Sequence, residues 1–257
     1  IAAITGFAPI CAPILGGWLG ALWGYPSVFL CTAAMGAGTW LLMYFRLPET
    51  LDRSRARPGV RDWWRSYSVL LKSRLFLGYS LMFGLVQGSF FSFLPVGAAV
   101  FEQDFGLGAP VFGMVWGVLA LAYVLGAVMG GRLTRRFDST PVMRIAIAIN
   151  LLTGWGMLLL TLAIGISLPG LLLPFAVLMA AAGGISPGAL AGAVNAHPEM
   201  AGTSSGLSSA IGILVGCVFT VLTGYLYEGD FVSVAAMFAA ASTLTSISWV
   251  VVRRIRT

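Results

Sequence analysis

The sequence predicts an all-α polytopic membrane protein, and three observations predict it. Of its 257 residues 58% are hydrophobic and only 9% are charged, where a soluble domain uses about 25% charged residues to cover its surface. Eight apolar runs approach the roughly 20 residues that an α-helix needs to cross a bilayer. The fifteen basic residues, finally, sort onto alternate connections between those runs. A water-soluble fold is excluded, because too few charges remain to clothe it.

The first run, Ile1–Trp23, holds Pro9 and Pro13, each of which removes a backbone donor and bends a helix. Gly16, Gly20 and Gly24 recur in it every four residues, a spacing that leaves a groove for another backbone. Val28–Phe45 is the second run. The third, Leu75–Val100, carries Tyr79, Phe83, Gln87, Phe90 and Phe91 at spacings that put them on one helix face. Val111–Gly131 is the fourth, with Trp116 and Tyr123. The fifth, Val142–Ile166, holds Asn150 and Thr153, expected to hydrogen-bond between helices. The sixth, Leu168–Leu190, runs into Gly183, Gly184, Pro187 and Gly188, where a boundary is hard to place. Gly202–Leu226 and Phe231–Val252 complete the set. Cys11, Cys31 and Cys217 each lie in an apolar run and read as small buried packing residues.

Arg46–Arg74 is the one long polar stretch. It divides the chain into residues 1–46, a linker over 47–73, and residues 74–257. Pro58-Gly59 marks a turn within it. Beyond that turn Arg61, Arg65 and Lys72 recur on one helical face and Trp63, Trp64, Tyr67 and Leu71 on another. A basic amphipathic helix with aromatic residues lies flat at a membrane surface; the alternative is a solvated linker whose tryptophans mark the interface.

Eight basic residues fall in Arg46–Arg74, four between the fourth and fifth runs (Arg132, Arg135, Arg136 and Arg144), and three at the end (Arg253, Arg254 and Arg256). Basic side chains are retained on the cytoplasmic side. With eight alternating spans all three clusters share one side, so the chain is expected to begin and end in the cytoplasm. The net charge of +6 follows from that orientation and calls for no nucleic-acid partner. Residue 1 is Ile, inside an apolar run, with no signal peptide before it; the chain reads as part of a longer polypeptide.

No Cys/His pair, metal-ligand spacing or phosphate loop occurs in the sequence, and no acid or histidine stands in a run where it could pair with a nucleophile. The expectation is a protein that is not an enzyme, with no catalytic residues, metal or cofactor. His197, the only histidine, sits in the loop Asn195–Glu199 and reads as a solvated loop residue. A charge at mid-membrane costs roughly 2.5–3.5 kcal/mol on insertion scales, and no run carries a central one. The aromatic stripe of the third run, broken by the Gln87 amide, would suit an amphipathic ring system, since ligand sites are largely apolar with a few placed polar groups. A lipid-facing or core stripe is the competing reading.

Four segments resemble one transporter family in order. Pro13-Ile14-Leu15-Gly16-Gly17 resembles the antiporter motif of major facilitator exporters, and the preceding Ala12 is similar to the bicyclomycin/chloramphenicol-resistance branch. Leu47-Pro48-Glu49-Thr50 resembles the element closing that branch's sixth helix. Gly130-Gly131-Arg132-Leu133-Thr134-Arg135-Arg136-Phe137-Asp138 is similar to the basic loop between helices eight and nine. Ala201-Gly202-Thr203-Ser204-Ser205-Gly206 resembles the entry to the eleventh helix, with Ser204 in place of alanine. Gly24-Tyr25-Pro26-Ser27 departs from the family's Gly-Trp-Arg, which leaves the outer mouth unassigned.

The resemblance implies that the eight spans match family helices five to twelve: the last two helices of one six-helix bundle, and all of the second. It implies proton-coupled export of small amphipathic, drug-like compounds by alternating access. The coupling acid would lie in the helices before this chain. Tyr79, Phe83, Gln87, Phe90, Phe91, Trp116 and Tyr123 would contact substrate; Pro9, Pro13, Gly16 and Gly17 would shape the interface between bundles; Arg132, Arg135 and Arg136 would anchor a cytoplasmic gate. The partners implied are a small-molecule substrate, protons and the lipid bilayer. The setting is a bacterial inner membrane, and the complete protein is expected to be a monomer. An importer of a small nutrient on the same fold, or a membrane protein that transports nothing, are the alternatives.

Overall fold

A computed structural model of the chain describes residues 2–46 and 60–256. Regular structure among these residues is helical throughout. Seven helical stretches are long and apolar enough to cross a membrane by length and composition, and Ile14–Trp23 of the first helix adds a shorter apolar one.

Helices α1 (Ala2–Trp23) and α2 (Tyr25–Arg46) are joined by Gly24. Its φ of 74° is a left-handed conformation that a side chain would strain. Gly24 therefore ends α1 and does not extend the glycine groove expected from the four-residue spacing. Around Gly16 and Gly20 the described structure leaves open space. α2 packs against α1 and buries none of its residues. Helix α3 (Val60–Lys72) forms where the linker was expected to be helical. Its Leu70 is fully buried, while Trp64, Tyr67 and Leu71 stay exposed beside Arg65 and Lys72. Leu47-Pro48-Glu49-Thr50 and Pro58-Gly59 lie outside the described residues.

The third apolar run divides into α4 (Arg74–Phe93) and α5 (Gly97–Phe105). Ser73 starts α4, its hydroxyl accepting the Phe76 N–H at 3.3 Å. Pro95 stops it, because proline has no N–H to give the carbonyl four residues back. Four further helices follow the loop after α5: α6 (Ala109–Leu133), α7 (Ser139–Ile164), α8 (Leu168–Asn195) and α9 (Ala201–Leu226). The last is α10 (Val232–Arg256). The sixth run thus continues past Leu190, through Gly183, Gly184, Pro187 and Gly188, to Asn195. Those glycines mark tight neighbours and not a helix end: Gly183 abuts the Tyr123 backbone of α6, and Gly188 lies under Met143 of α7.

The directions of the helices follow from who meets whom. Ser80 meets Ser208 and Gly84 meets Gly212, so α4 and α9 are parallel. Gly126 meets Ala180 and Gly130 meets Gly184, so α6 and α8 are parallel. Tyr79 packs on Gly192 and Phe93 on Phe175, so α4 and α8 are antiparallel. The packing repeats upside down. As α4 pairs with α9, α8 pairs with α6; as α4 meets α10, α8 meets α7; and the contacts α4–α8 and α7–α10 lie on the axis relating the two sets. Helices α4, α6 and α7 thus form one half of an inverted repeat and α8, α9 and α10 the other, an arrangement found in secondary transporters.

Alternation also gathers charge at the two ends. Arg74, Arg132, Arg144 and Arg254 come together at one end of the bundle. Glu102, Asp104, Glu228 and Asp230 fall at the other, where Asp104 and Asp230 both influence Tyr227. Two apolar cores fill the space between. Phe93, Trp116, Phe175 and Phe238 centre the one toward the acidic end, and Phe76, Met82, Ile185 and Val252 the one toward the basic end.

Cysteines depart from the expectation of burial: Cys31 and Cys217 are exposed and Cys11 half-buried. A thiol packs as readily against lipid as against protein, so an apolar run does not say which way it faces. Asn150 is buried at 1% exposure, yet its Nδ2 makes no hydrogen bond among the described residues. The interhelical bond at this level comes from Trp155, whose Nε1 donates to Thr243 Oγ1 at 2.9 Å.

Candidate functional site

Helix α4 carries the candidate site because α8, α9 and α10 close three arcs of its surface, α10 through Val252 and Ser248 at Gly78, and leave a fourth half-buried. One arc is closed by α8, through Tyr79 and Phe93. Another is closed by α9, through Gly84 and Gly88, against which Val215 and Phe219 pack. Between them Phe83, Gln87, Phe90 and Phe91 are half-buried. The periodicity that put these residues on one face is therefore real, but the stripe is not uniform.

Tyr79, at the stripe's basic end, is 3% exposed and lies over Gly192 of α8. It also lines a cleft of about 350 Å³ with Thr134, Ser139, Asn195 and Trp249. Phe83 and Phe91 lean toward α9, where Gly212 and Gly216 leave room for their rings. Phe90 turns the other way and stacks on Trp116 of α6, ring centroids 4.9 Å apart. Trp116 in turn touches Phe93, Phe112 and Phe175 and is 6% exposed, a post of the aromatic core. Tyr123 is half-buried and interacts with the Ser186 side chain of α8. The structure thus leaves Phe83, Gln87, Phe90 and Phe91 along one half-buried arc of α4, with Phe83 in an apolar cluster with Tyr79 and Tyr123 and Phe90 in one with Trp116 and Tyr123.

Gln87 sits at the middle of the half-buried arc. It makes no side-chain hydrogen bond among the described residues. The side chain is only half-buried, so its amide is open to a polar atom of a ligand. The arc can do two things chemically: offer aromatic faces to a flat apolar body, and offer one donor–acceptor pair to fix its orientation.

Pro9 and Pro13 stand inside α1, which is helical from Ala2 to Trp23; α1 packs on α6. Arg132 is in the last turn of α6, and Arg135 and Arg136 are in the turn after it, all three exposed. His197 is less solvated than its loop position suggested: its side chain is 22% exposed and its Nδ1 lies 3.2 Å from Glu199 Oε1. Sequence reasoning missed Thr220, whose hydroxyl donates to the Phe91 carbonyl at 3.1 Å. The signal was present in Pro95, which orphans that carbonyl.

Residues 1–221 match the sequence pattern of the Major Facilitator Superfamily. The chain is 26% identical over 213 residues to a bicyclomycin resistance protein homolog of Haemophilus influenzae, covering 82% of this chain and 53% of that protein. It is 26% identical over 251 residues to an uncharacterized transporter of the same class, YdgK, from Bacillus subtilis, covering 96% and 61%. It is also 26% identical over 250 residues to multidrug resistance protein D of Escherichia coli, covering 94% and 60%. The chain therefore spans between about half and three-fifths of the length of these curated relatives.

Proposed function

The chain belongs to the major facilitator superfamily, and from that premise we propose that it forms part of a proton-driven exporter of small amphipathic, drug-like compounds. The observation that carries the reading is the half-buried arc of α4: three phenylalanines around the Gln87 amide, which makes no side-chain hydrogen bond among the described residues. The names of two relatives, a bicyclomycin resistance protein homolog and a multidrug resistance protein, support the export of drug-like compounds.

In this reading Gln87 fixes the substrate's polar edge while Phe83, Phe90 and Phe91 hold its apolar body. Tyr79 and Tyr123 line the route toward the basic end, and Trp116 holds Phe90 in place. Residues 1–46 close one half of the transporter and residues 74–257 form the other, joined by the linker over 47–73, whose helix α3 rests on the membrane surface. Pro9, Pro13, Gly16 and Gly17 shape the face along which the two halves rock. Arg132, Arg135 and Arg136 belong to the gate at the cytoplasmic end, and the C-terminus is cytoplasmic, in a bacterial inner membrane. The transporter works as a monomer.

The test is efflux from a host lacking its own drug exporters. A full-length transporter carrying this chain should lower the accumulation of lipophilic drugs, and collapse of the proton gradient should abolish the effect. Gly17→Leu should block export while leaving insertion into the membrane intact. Unchanged accumulation with the wild type, across drugs of differing charge, would refute export; normal efflux by Gly17→Leu would remove the α1 assignment.

A further inference from the structure

We propose that the turn between α6 and α7 is a binding site for an anionic phospholipid headgroup. Arg132, Arg135 and Arg136 surround a groove of about 410 Å³ whose other walls are Met129 and Leu133. The groove therefore has two unlike halves. Its guanidinium half ends the helix; its apolar half continues along α6, where Leu125 is 58% and Met129 60% exposed. Phe137, 61% exposed, stands beside it.

The charges there are unbalanced. Between Arg132 and Arg144 the only carboxylate is Asp138. Among the described residues no ion pair within 4.0 Å joins Arg132, Arg135, Arg136 or Arg144 to a carboxylate. Three unneutralised guanidiniums in one turn repel each other, and a phosphodiester relieves that repulsion while accepting forked hydrogen bonds. What distinguishes a lipid from a free phosphate is the apolar wall. A phosphate alone leaves Met129 and Leu133 unused, whereas a lipid seats its headgroup on the arginines and an acyl chain along Met129 and Leu125. Basic pockets at the ends of spanning helices bind anionic lipids in this way. The inference needs only that the chain is a membrane protein, and it stands or falls separately from the export reading.

The test uses the full-length protein purified in mild detergent, stripped of lipid, and incubated with short-chain phosphatidylglycerol or phosphatidylcholine. Retained lipid is read by native mass spectrometry. The wild type should retain phosphatidylglycerol at least about tenfold better than phosphatidylcholine. Combined Arg132→Gln, Arg135→Gln and Arg136→Gln should remove that preference, and Lys72→Gln with Arg74→Gln should keep it. Met129→Ser with Leu133→Ser should weaken lipid retention though every charge remains. All of these side chains are exposed, so melting temperatures should match the wild type. Equal loss in the Lys72/Arg74 variant would mean diffuse attraction to basic charge and would overturn the site. So would displacement of the lipid by an equal concentration of inorganic phosphate, or full retention in the triple arginine variant.

Discussion

Thr220 of α9 donates its hydroxyl to the Phe91 carbonyl of α4 at 3.1 Å, the carbonyl that Pro95 leaves without its helical donor. A neighbouring helix thus repairs the backbone defect, which in lipid no water can do. Thr220→Val should cost about 1 kcal/mol. In a Pro95→Ala background, where residue 95 can donate again, the same substitution should cost less. Thermal unfolding in detergent of the four proteins closes the cycle; an equal cost in both backgrounds would show that the bond does not answer to the proline.

The α6–α8 seam predicts a contrast between two glycines of α6. A Cβ on Gly126 would run into the Ala180 backbone, while one on Gly131 meets nothing within 4 Å. Gly126→Ala should destabilise by about 1–3 kcal/mol, the range for overpacking, and Gly131→Ala should not. Unfolding midpoints that move together would contradict the close approach of the two helices.

Trp116 and Gln87 should separate stability from transport. Trp116 is packed among Phe90, Phe93, Phe112 and Phe175. Trp116→Ala should cost about 3–5 kcal/mol, as large aromatic truncations do. Gln87→Leu keeps volume and removes only the amide, so folding should hold while export of polar-edged drugs falls about tenfold, the worth of one hydrogen bond near 1.4 kcal/mol. If Gln87→Leu transported normally, the amide would not touch substrate.

The acidic end carries a pH signature. Burial pushes the Tyr227 phenol above its ordinary value, and Asp104 and Asp230 push it the same way. A raised pKa in the folded state means that the unfolded chain loses the proton first. Stability should therefore fall as pH rises from about 10 toward the folded value. Tyr227→Phe should flatten that alkaline decline in melting temperature, and an unchanged slope would assign the decline to other groups.

Much of the fold was legible because a bilayer writes it as long apolar runs and sorted charge. The runs give the spans, and the basic residues of Arg46–Arg74, Arg132–Arg144 and Arg253–Arg256 give the common end. Less was legible where a residue's partner decides its role. Gly24 shares its spacing with Gly16 and Gly20, but a turn claims it. Gly183 and Gly188 resemble a helix stop until Tyr123 and Met143 are seen against them. In the candidate site, spacing put the aromatics on one arc, yet it could not say that Phe90 would stack on Trp116 while Phe91 filled a notch over Gly216. Those choices are made by helices far away in the chain, so no local pattern contains them.

The union of α4 with α9 has a consequence for how the protein is made. Ser80 and Ser208 are separated by 128 positions, so α4 leaves the ribosome and enters the bilayer long before its mate exists. Until α9 is synthesised the serine and glycine notches of α4 have no protein to fill them, and the inverted arrangement imposes the same wait on α6 for α8. The early helices therefore gain their final register only when the last ones arrive to meet them.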